Sequence, residues 1–454
     1  MKMNSVIKNG SLYVFGNLFN KAIAFLTVPI FTRMLTTAEY GVVNTYSSWV
    51  NILAVFVGLS MTSSVRNACI DYKNELGEYI SSVFTLAAVN FIMILALSQL
   101  IANRVSLSRA LLVLCLIESF SNFVINTVVV RYVMEEAAVY RTLLMVLPNL
   151  IGAIISVLLI YPLNSNKYIG RVLGTCISTS IFGISLLAYY WGKYKSFISK
   201  KYWKYALSIS LPLIMHGLST NILGTSDRTV ITIFHGSEQT GIYSLIYNLS
   251  MVAGVITSSA ESVYITRFTK NMLKKDYKTV NHEINILIYV VLFFFCGLFT
   301  IAPELILILG GQEYLSGYSM VFPLVSASFV MFLYGIYVNC EYFYKKTTTI
   351  AISTIIAAVL NIILNFIFIP KFGAVAAAYT TLVSYIVSFI LHARKSHDVN
   401  KEVAPYKIIL VPCLIIVASG IITTIFMEYI LLRYSLMILL GTLYVIIVYN
   451  KLLK

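Results

Sequence analysis

The chain has 454 residues, of which 59% are hydrophobic and only 11% charged, with a formal net charge of +15. A soluble globular chain carries about 25% charged residues, so this composition excludes an ordinary soluble domain and points to an all-α, polytopic membrane protein. The basic excess would suggest a nucleic-acid partner in a soluble protein, but its placement along the chain argues for a membrane surface instead.

A helix needs about 20 apolar residues to cross the hydrocarbon core. By that measure fourteen spans are expected, at about 11–33, 42–63, 80–102, 109–131, 141–161, 169–191, 206–234, 242–266, 284–309, 319–343, 349–369, 373–393, 407–427 and 429–449. Lys2 and Lys8 precede the first, which is long enough to span and lacks a small-residue cleavage site, so it is expected to remain as an uncleaved anchor. Segments 7 and 9 are longer than needed, and Pro212 and Pro303 are their expected kink points. The six cysteines show no Cys-x-x-Cys spacing, and the five histidines are scattered. Both residue types therefore read as packing rather than as metal or disulfide chemistry. No cofactor is expected, and the absence of a Gly-x-x-x-x-Gly-Lys motif argues against ATP hydrolysis.

With the N-terminus placed inside, the inner connections hold 24 of the 33 basic residues, the outer ones hold six, and Lys21, Arg171 and Arg228 lie within spans. This positive-inside bias puts both termini in the cytoplasm and the excess charge against anionic headgroups. Membrane lipids, not nucleic acid, are the partners it implies.

The stretch from Pro29 to Gly41 closes the first span and opens the second. A shift of 200 residues finds a related turn, Phe234-His235-Gly236-Ser237-Glu238-Gln239-Thr240-Gly241. Pro148-Asn149-Leu150 is echoed by Leu360-Asn361-Ile362, and Gly170-Arg171-Val172-Leu173-Gly174 by Gly373-Ala374-Val375-Ala376-Ala377. These echoes predict two parallel six-helix repeats around a central cleft, 1–195 and 196–396, with an appended helix pair at 397–454 that carries almost no intramembrane charge.

The pattern Pro29…Thr32-Arg33-Met34-Leu35…Glu39-Tyr40-Gly41, together with Asp227-Arg228 and Gly241-Ile242-Tyr243-Ser244-Leu245, resembles bacterial polysaccharide flippases of the Wzx type. These belong to the multidrug/oligosaccharidyl-lipid/polysaccharide exporter superfamily. The resemblance implies a flippase, not an enzyme, in the bacterial cytoplasmic membrane. It would move an undecaprenyl-diphosphate-linked oligosaccharide outward by alternating access, for surface or capsular polysaccharide or O-antigen synthesis. A polysaccharide polymerase and other assembly proteins are its candidate partners. Two alternatives stay open: a multidrug or cation antiporter of the same superfamily, which would want an acidic cleft, and an integral-membrane polymerase, which would want catalytic residues on an external loop. The outer connections are short, roughly ten residues or fewer, which leaves no room for such a loop.

An ionisable residue within a span is costly, so by default it faces a cavity or a partner. Lys21 shares a face with Asn17 and Asn20, and Glu118 heads a stripe with Ser121, Asn122 and Asn126. Lys21 lines a cavity or pairs with an acid, and Glu118 is a structural partner for Lys21 or a protonatable coupling residue. Arg66, Arg131 and Arg267 end segments 2, 4 and 8; they anchor headgroups or, as a ring at a cavity mouth, take a diphosphate. Arg33 and Arg228 join them as candidate substrate contacts. Asp227, Asn361, Asn365 and Thr381 supply hard oxygens suited to Na⁺, or a carboxylate for a proton. The resemblance adds that related lipid II flippases place a sodium site with an Asp from the seventh helix, an i, i+4 polar pair from the eleventh and a Thr from the twelfth. Here Asn365 stands where an acid is expected, and ordinary interhelical hydrogen bonding is the competing reading. Many of the 32 tyrosines fall at span ends as an interfacial belt, while Tyr243 and Tyr247, one turn apart, could stack on sugar rings.

This topology makes a direct prediction. Single cysteines at Lys200, Lys275 and Asn400 should be labelled from the cytoplasm by an impermeant thiol reagent, and those at Asn164, Ser237 and Gln312 from outside. Two adjacent sites in this series reporting the same side would break the even count of spans on which the repeat depends.

Overall fold

In hydrocarbon every backbone N–H and C=O must be satisfied within the chain, which leaves helices as the solution for long apolar runs. The computed structural model describes residues 3–101 and 108–452, and among these there are helices and no strands. The α-helices are α1 (Met3–Met34), α2 (Thr37–Val57), α3 (Thr62–Asp71), α4 (Leu76–Ile101), α5 (Arg109–Met134), α6 (Ala138–Ile160) and α7 (Tyr168–Tyr194). They continue with α8 (Lys200–Leu273), α9 (Tyr277–Leu309), α10 (Val321–Phe343), α11 (Thr347–Val399), α12 (Lys407–Ile425) and α13 (Ile430–Leu452), with a 3-10 helix (Gln312–Met320) leading into α10. Among the described residues nine helices are long and apolar enough to cross a membrane, or ten with α2 and α3 taken as one bent span.

α8 and α11 are each two helices run together. Their breaks fall at Gly236 (φ 81°) and Gly373 (φ 66°), left-handed conformations that a side chain would strain. Split there, and with α2 and α3 joined, the thirteen α-helices make fourteen segments in the expected order. The expected second span, 42–63, differs in detail. α2 stops at Val57, the chain turns through Leu59 (φ 47°) and Ser60 (φ 53°), and α3 leaves at 42°. Asn90 of α4 makes this break tolerable at depth by donating to the Phe56 and Val57 carbonyls at 2.8 and 2.9 Å.

The chain divides between Gly241 and Ile242 into two compact units. In the first, the turn before α2 is a capping box: Thr36 Oγ1 accepts from the Glu39 N–H at 3.2 Å, and Glu39 Oε2 accepts from the Thr36 N–H at 3.1 Å. The other Glu39 oxygen accepts from the Lys167 N–H at 2.6 Å, at the start of α7. A few residues on, two backbones touch. A Cβ on Gly41 would stand 1.7 Å from the Ser237 carbonyl oxygen, and one on Gly241 would stand 2.0 Å from that of Thr37. The two turns that the sequence relates by 200 residues therefore cross each other reciprocally. Further in, Tyr79, Phe84, Phe123 and Tyr190 pack as a buried core. Where α8 begins, Tyr202 and Lys201 meet Glu75 at 2.7 and 3.4 Å, and those contacts hold its carboxyl below the usual carboxylate range.

The second unit is built around buried Phe295, Phe299, Phe329 and Tyr337. Its last helix is anchored by a charge that was expected in an outer connection. Arg433 is 1% exposed and clasps Glu304 of α9 through both terminal nitrogens, at 2.6 and 3.1 Å. Removal from water made Arg433 seek an acid, and the bidentate geometry suits guanidinium.

The crossing at Gly41 and Gly241 allows a test. Gly41→Ala and Gly241→Ala should each cost about 1–3 kcal/mol, the range for forcing extra volume into a packed site. Gly192→Ala, with nothing within 4 Å of the new methyl, serves as the control. Melting temperatures in detergent should fall for the first two and match the wild type for the third; equal melting of all three would show that the backbones do not touch.

Candidate functional site

The candidate polar side chains fall into an exposed set and a buried or half-buried set. In the first unit Lys21, on α1, is exposed, and its neighbour Asn20 accepts from Asn149 of α6 at 2.9 Å. Arg33, in the last turn of α1, and Arg66, on α3 beyond the break, are exposed as well. Asn17 belongs to the described helix, but its side chain lies outside the described set.

Glu118 belongs to the second set. It is 8% exposed on α5 and accepts from the Tyr46 hydroxyl of α2 at 2.8 Å. The positive charge acting on it comes from Arg171 of α7, so its hydrogen bond and counter-charge are supplied by Tyr46 and Arg171. Arg171 lies with its guanidinium carbon 3.9 Å from the centre of the Phe31 ring and donates to Ser156 at 3.0 Å. Asn122, one turn on from Glu118, is half-buried. Arg131 is spoken for too: it bonds Glu135 at 2.7 Å and the Tyr190 hydroxyl at 2.8 Å.

Asp227 and Arg228 are buried side by side on the first part of α8, at 1% and 6% exposure. Arg228 donates to the Gly224 carbonyl at 3.3 Å. Its own carbonyl accepts from Thr232, which continues a hydroxyl chain to Thr45 of α2 at 2.8 Å and Thr240 at 2.7 Å. This chain ties α2 to both sides of the Gly236 break.

In the second unit Arg267 is exposed. Asn361, Asn365 and Thr381 on α11 are fully buried. Asn365 donates to the Asn361 carbonyl oxygen at 3.1 Å and accepts from the Thr380 hydroxyl, which adds Thr380 to the predicted pair. Among the described residues no group of three or more His, Cys, Asp or Glu could hold a metal. Tyr243 and Tyr247 are buried against each other with ring centres 6.0 Å apart. Burial takes them out of reach of a sugar.

Sequence reasoning passed over Tyr46, Thr36 and the Thr45–Thr232–Thr240 chain. Only Thr36 had a readable signal, the Thr-x-x-Glu spacing of a capping box. The others depend on which helices meet.

Comparison with known proteins bears on what this arrangement serves. A family model described as "Polysaccharide biosynthesis protein" matches residues 6–272. A probable low-salt glycan biosynthesis flippase, Agl15 of Haloferax volcanii, is 21% identical over 395 residues, covering 83% of this chain and 80% of its own length. The structure is similar to the lipid II flippase MurJ in an inward closed conformation, with a TM-score of 0.73, 17% identity and coverage of 98% of this chain and 100% of that one. It is also similar to an inward-facing MATE multidrug resistance transporter of the MOP superfamily, with a TM-score of 0.64, 15% identity and coverage of 85% and 96%. At such identities these two likenesses describe the fold.

Proposed function

The chain belongs to the polysaccharide biosynthesis protein family, and from that premise we propose that it translocates a lipid-linked oligosaccharide. The carrier in this reading is undecaprenyl diphosphate, and the membrane is the bacterial cytoplasmic membrane with both termini inside. The observation that carries the reading is the family match over residues 6–272, supported by the likeness to a relative named as a flippase. The basic bias of the inner connections supports the orientation. The division into two six-helix repeats and an appended pair belongs to the same reading, and the reciprocal packing of Gly41 and Gly241 supports it.

The physical task is to carry two phosphates and a sugar past about 30 Å of hydrocarbon. Exposed cations along or at the mouth of the path stabilise the phosphates, while the lipid tail stays in the bilayer. Of the six candidate cations, Lys21, Arg33, Arg66 and Arg267 are exposed, whereas Arg131 is half-buried and Arg228 is buried. The first four are therefore the phosphate contacts in this account, and the other two are structural. A cation antiporter would want exposed acids in their place. Glu118, the acid in the first unit's predicted stripe, is instead held by Tyr46.

Alternating access becomes directional only when a coupling ion binds the two orientations with different affinity. Asp227 is the coupling candidate in the first unit, a carboxylate 1% exposed in an apolar helix. The test uses the reconstituted protein and lipid-linked oligosaccharide extracted from a strain that lacks it. Lys21→Ala should reduce flux by about tenfold to a hundredfold, the equivalent of about 1.5–3 kcal/mol for a charge-assisted hydrogen bond, and Lys21→Arg should retain more. Asp227→Asn should keep the fold and lose the response to an imposed Na⁺ or proton gradient. Wild-type flux in Lys21→Ala would remove that residue from the substrate path, and an unchanged gradient response in Asp227→Asn would remove Asp227 from coupling.

A further inference from the structure

α10 and the second part of α11 bury an acid–base pair that the account above does not use. Glu341 and His392 are both 0% exposed, and Oε1 of the acid lies 2.7 Å from Nδ1 of the ring. The far atom of each, Glu341 Oε2 and His392 Nε2, is also buried and has no hydrogen-bond partner. Leaving such atoms bare in an interior without water is unfavourable. A pair kept only for packing would be expected to close that gap. A pair that changes its proton count or its partners during a cycle cannot be satisfied in every conformation.

The surroundings fit a proton rather than a metal ion. The imidazole lies nearly parallel to the Tyr334 ring, 5.5 Å away at 20°, and Tyr334 is stacked in turn with Tyr385 at 6.1 Å. An aromatic face favours a cationic ring over a neutral one. On the same helix as Tyr334, Gly335 faces a second acid: Glu261 Oε1 is 3.1 Å from where a Cβ on Gly335 would stand. The other titratable groups of the packed helices include Tyr264 on α8, Glu283 on α9, Cys340 on α10, His397 on α11 and Cys413 on α12. None of those brings a permanent positive charge. One proton shared by Glu341 and His392 leaves the pair neutral; a second makes it a cation, which the Tyr334 face favours. A hard cation such as Na⁺ prefers oxygen ligands, and here a ring nitrogen already occupies one of the two carboxylate oxygens. Both residues stand within two turns of the helix ends that carry Lys345, Lys346, Arg394 and Lys395, so the proton's route to water is short.

We propose that Glu341 and His392 form a proton-binding site in the second unit, which loads and releases one proton in each transport cycle. The coupling half of this statement rests on the transport reading; the binding half does not. A proton adds to a carboxylate oxygen or an imidazole nitrogen, with no other bond made or broken.

The experiment has two arms on the full-length protein in lipid. In the first, infrared difference spectra are recorded as pH is stepped, with no substrate present. The wild type should show a carboxyl band that is lost in Glu341→Gln and shifted in His392→Gln; spectra unaffected by either change would overturn the binding site. In the second, proteoliposome flux of extracted lipid-linked oligosaccharide is measured under an imposed pH gradient. The double variant Glu341→Gln/His392→Gln keeps shape and one amide hydrogen bond, and size-exclusion profiles check its folding. It should lose the response to the pH gradient while keeping flux down the substrate gradient; an unchanged response would overturn the coupling. Absence of any flux in the wild type would count against the transport reading, and the infrared arm would still decide whether the proton binds.

Discussion

Hydrocarbon offers no water to a stranded polar group, and the structure is shaped by how each buried one finds a partner inside the chain. Asn90 takes up the two carbonyls freed by the break after α2. Glu118 and Arg171 are held by Tyr46, Ser156 and the Phe31 ring, and Asn365 joins Asn361 to Thr380. Arg433 fixes the last helix by clasping Glu304. Some of these contacts, such as Tyr46 with Glu118 and Arg433 with Glu304, tie together helices far apart in sequence. These interactions are worth more as specificity than as stability, because a buried pair recovers little beyond its own desolvation cost.

Against that background, the charges left exposed acquire meaning. Lys21, Arg33, Arg66 and Arg267 are exposed, whereas Glu118, Asp227 and Arg228 are buried. Accessible cations on helices that lead into the membrane are what a phosphate-bearing headgroup needs. Glu341 and His392 represent a third condition, buried and paired but incompletely satisfied. Substrate contact, scaffold and ion site thus differ in accessibility and in how fully each polar atom is partnered, more than in residue type.

The order of the helices was legible in the sequence because it rests on length and hydropathy alone, which lipid makes decisive. The two turns 200 residues apart drew notice in the sequence as related patterns, but that Gly41 and Gly241 bring their backbones together was not legible there. Side-chain partnership was not legible. Glu118 suggested Lys21 by charge, yet its hydrogen bond comes from Tyr46, on a helix whose rotation no linear pattern discloses. The Thr380 hydroxyl that bonds Asn365 was not legible either, because its direction depends on where Gly373 resets the helix. Glu341 and His392 were passed over because each lies near a span end, where an acid or a histidine is commonplace. Their burial arises only when α10 and α11 pack together.

The central claim is that this chain moves a lipid-linked oligosaccharide outward, and the most direct measurement follows that lipid in cells that lack the chain. Undecaprenyl-linked glycans should be extracted from the deletion strain and from the same strain carrying the chain on a plasmid. Mass spectrometry should identify them, and periplasmic glycosidase accessibility should assign their leaflet. The account predicts a complete lipid-linked oligosaccharide that accumulates in the deletion strain, resists the glycosidase and becomes accessible when the chain is restored. An unchanged pool in the deletion strain, equally accessible with and without the chain, would contradict it.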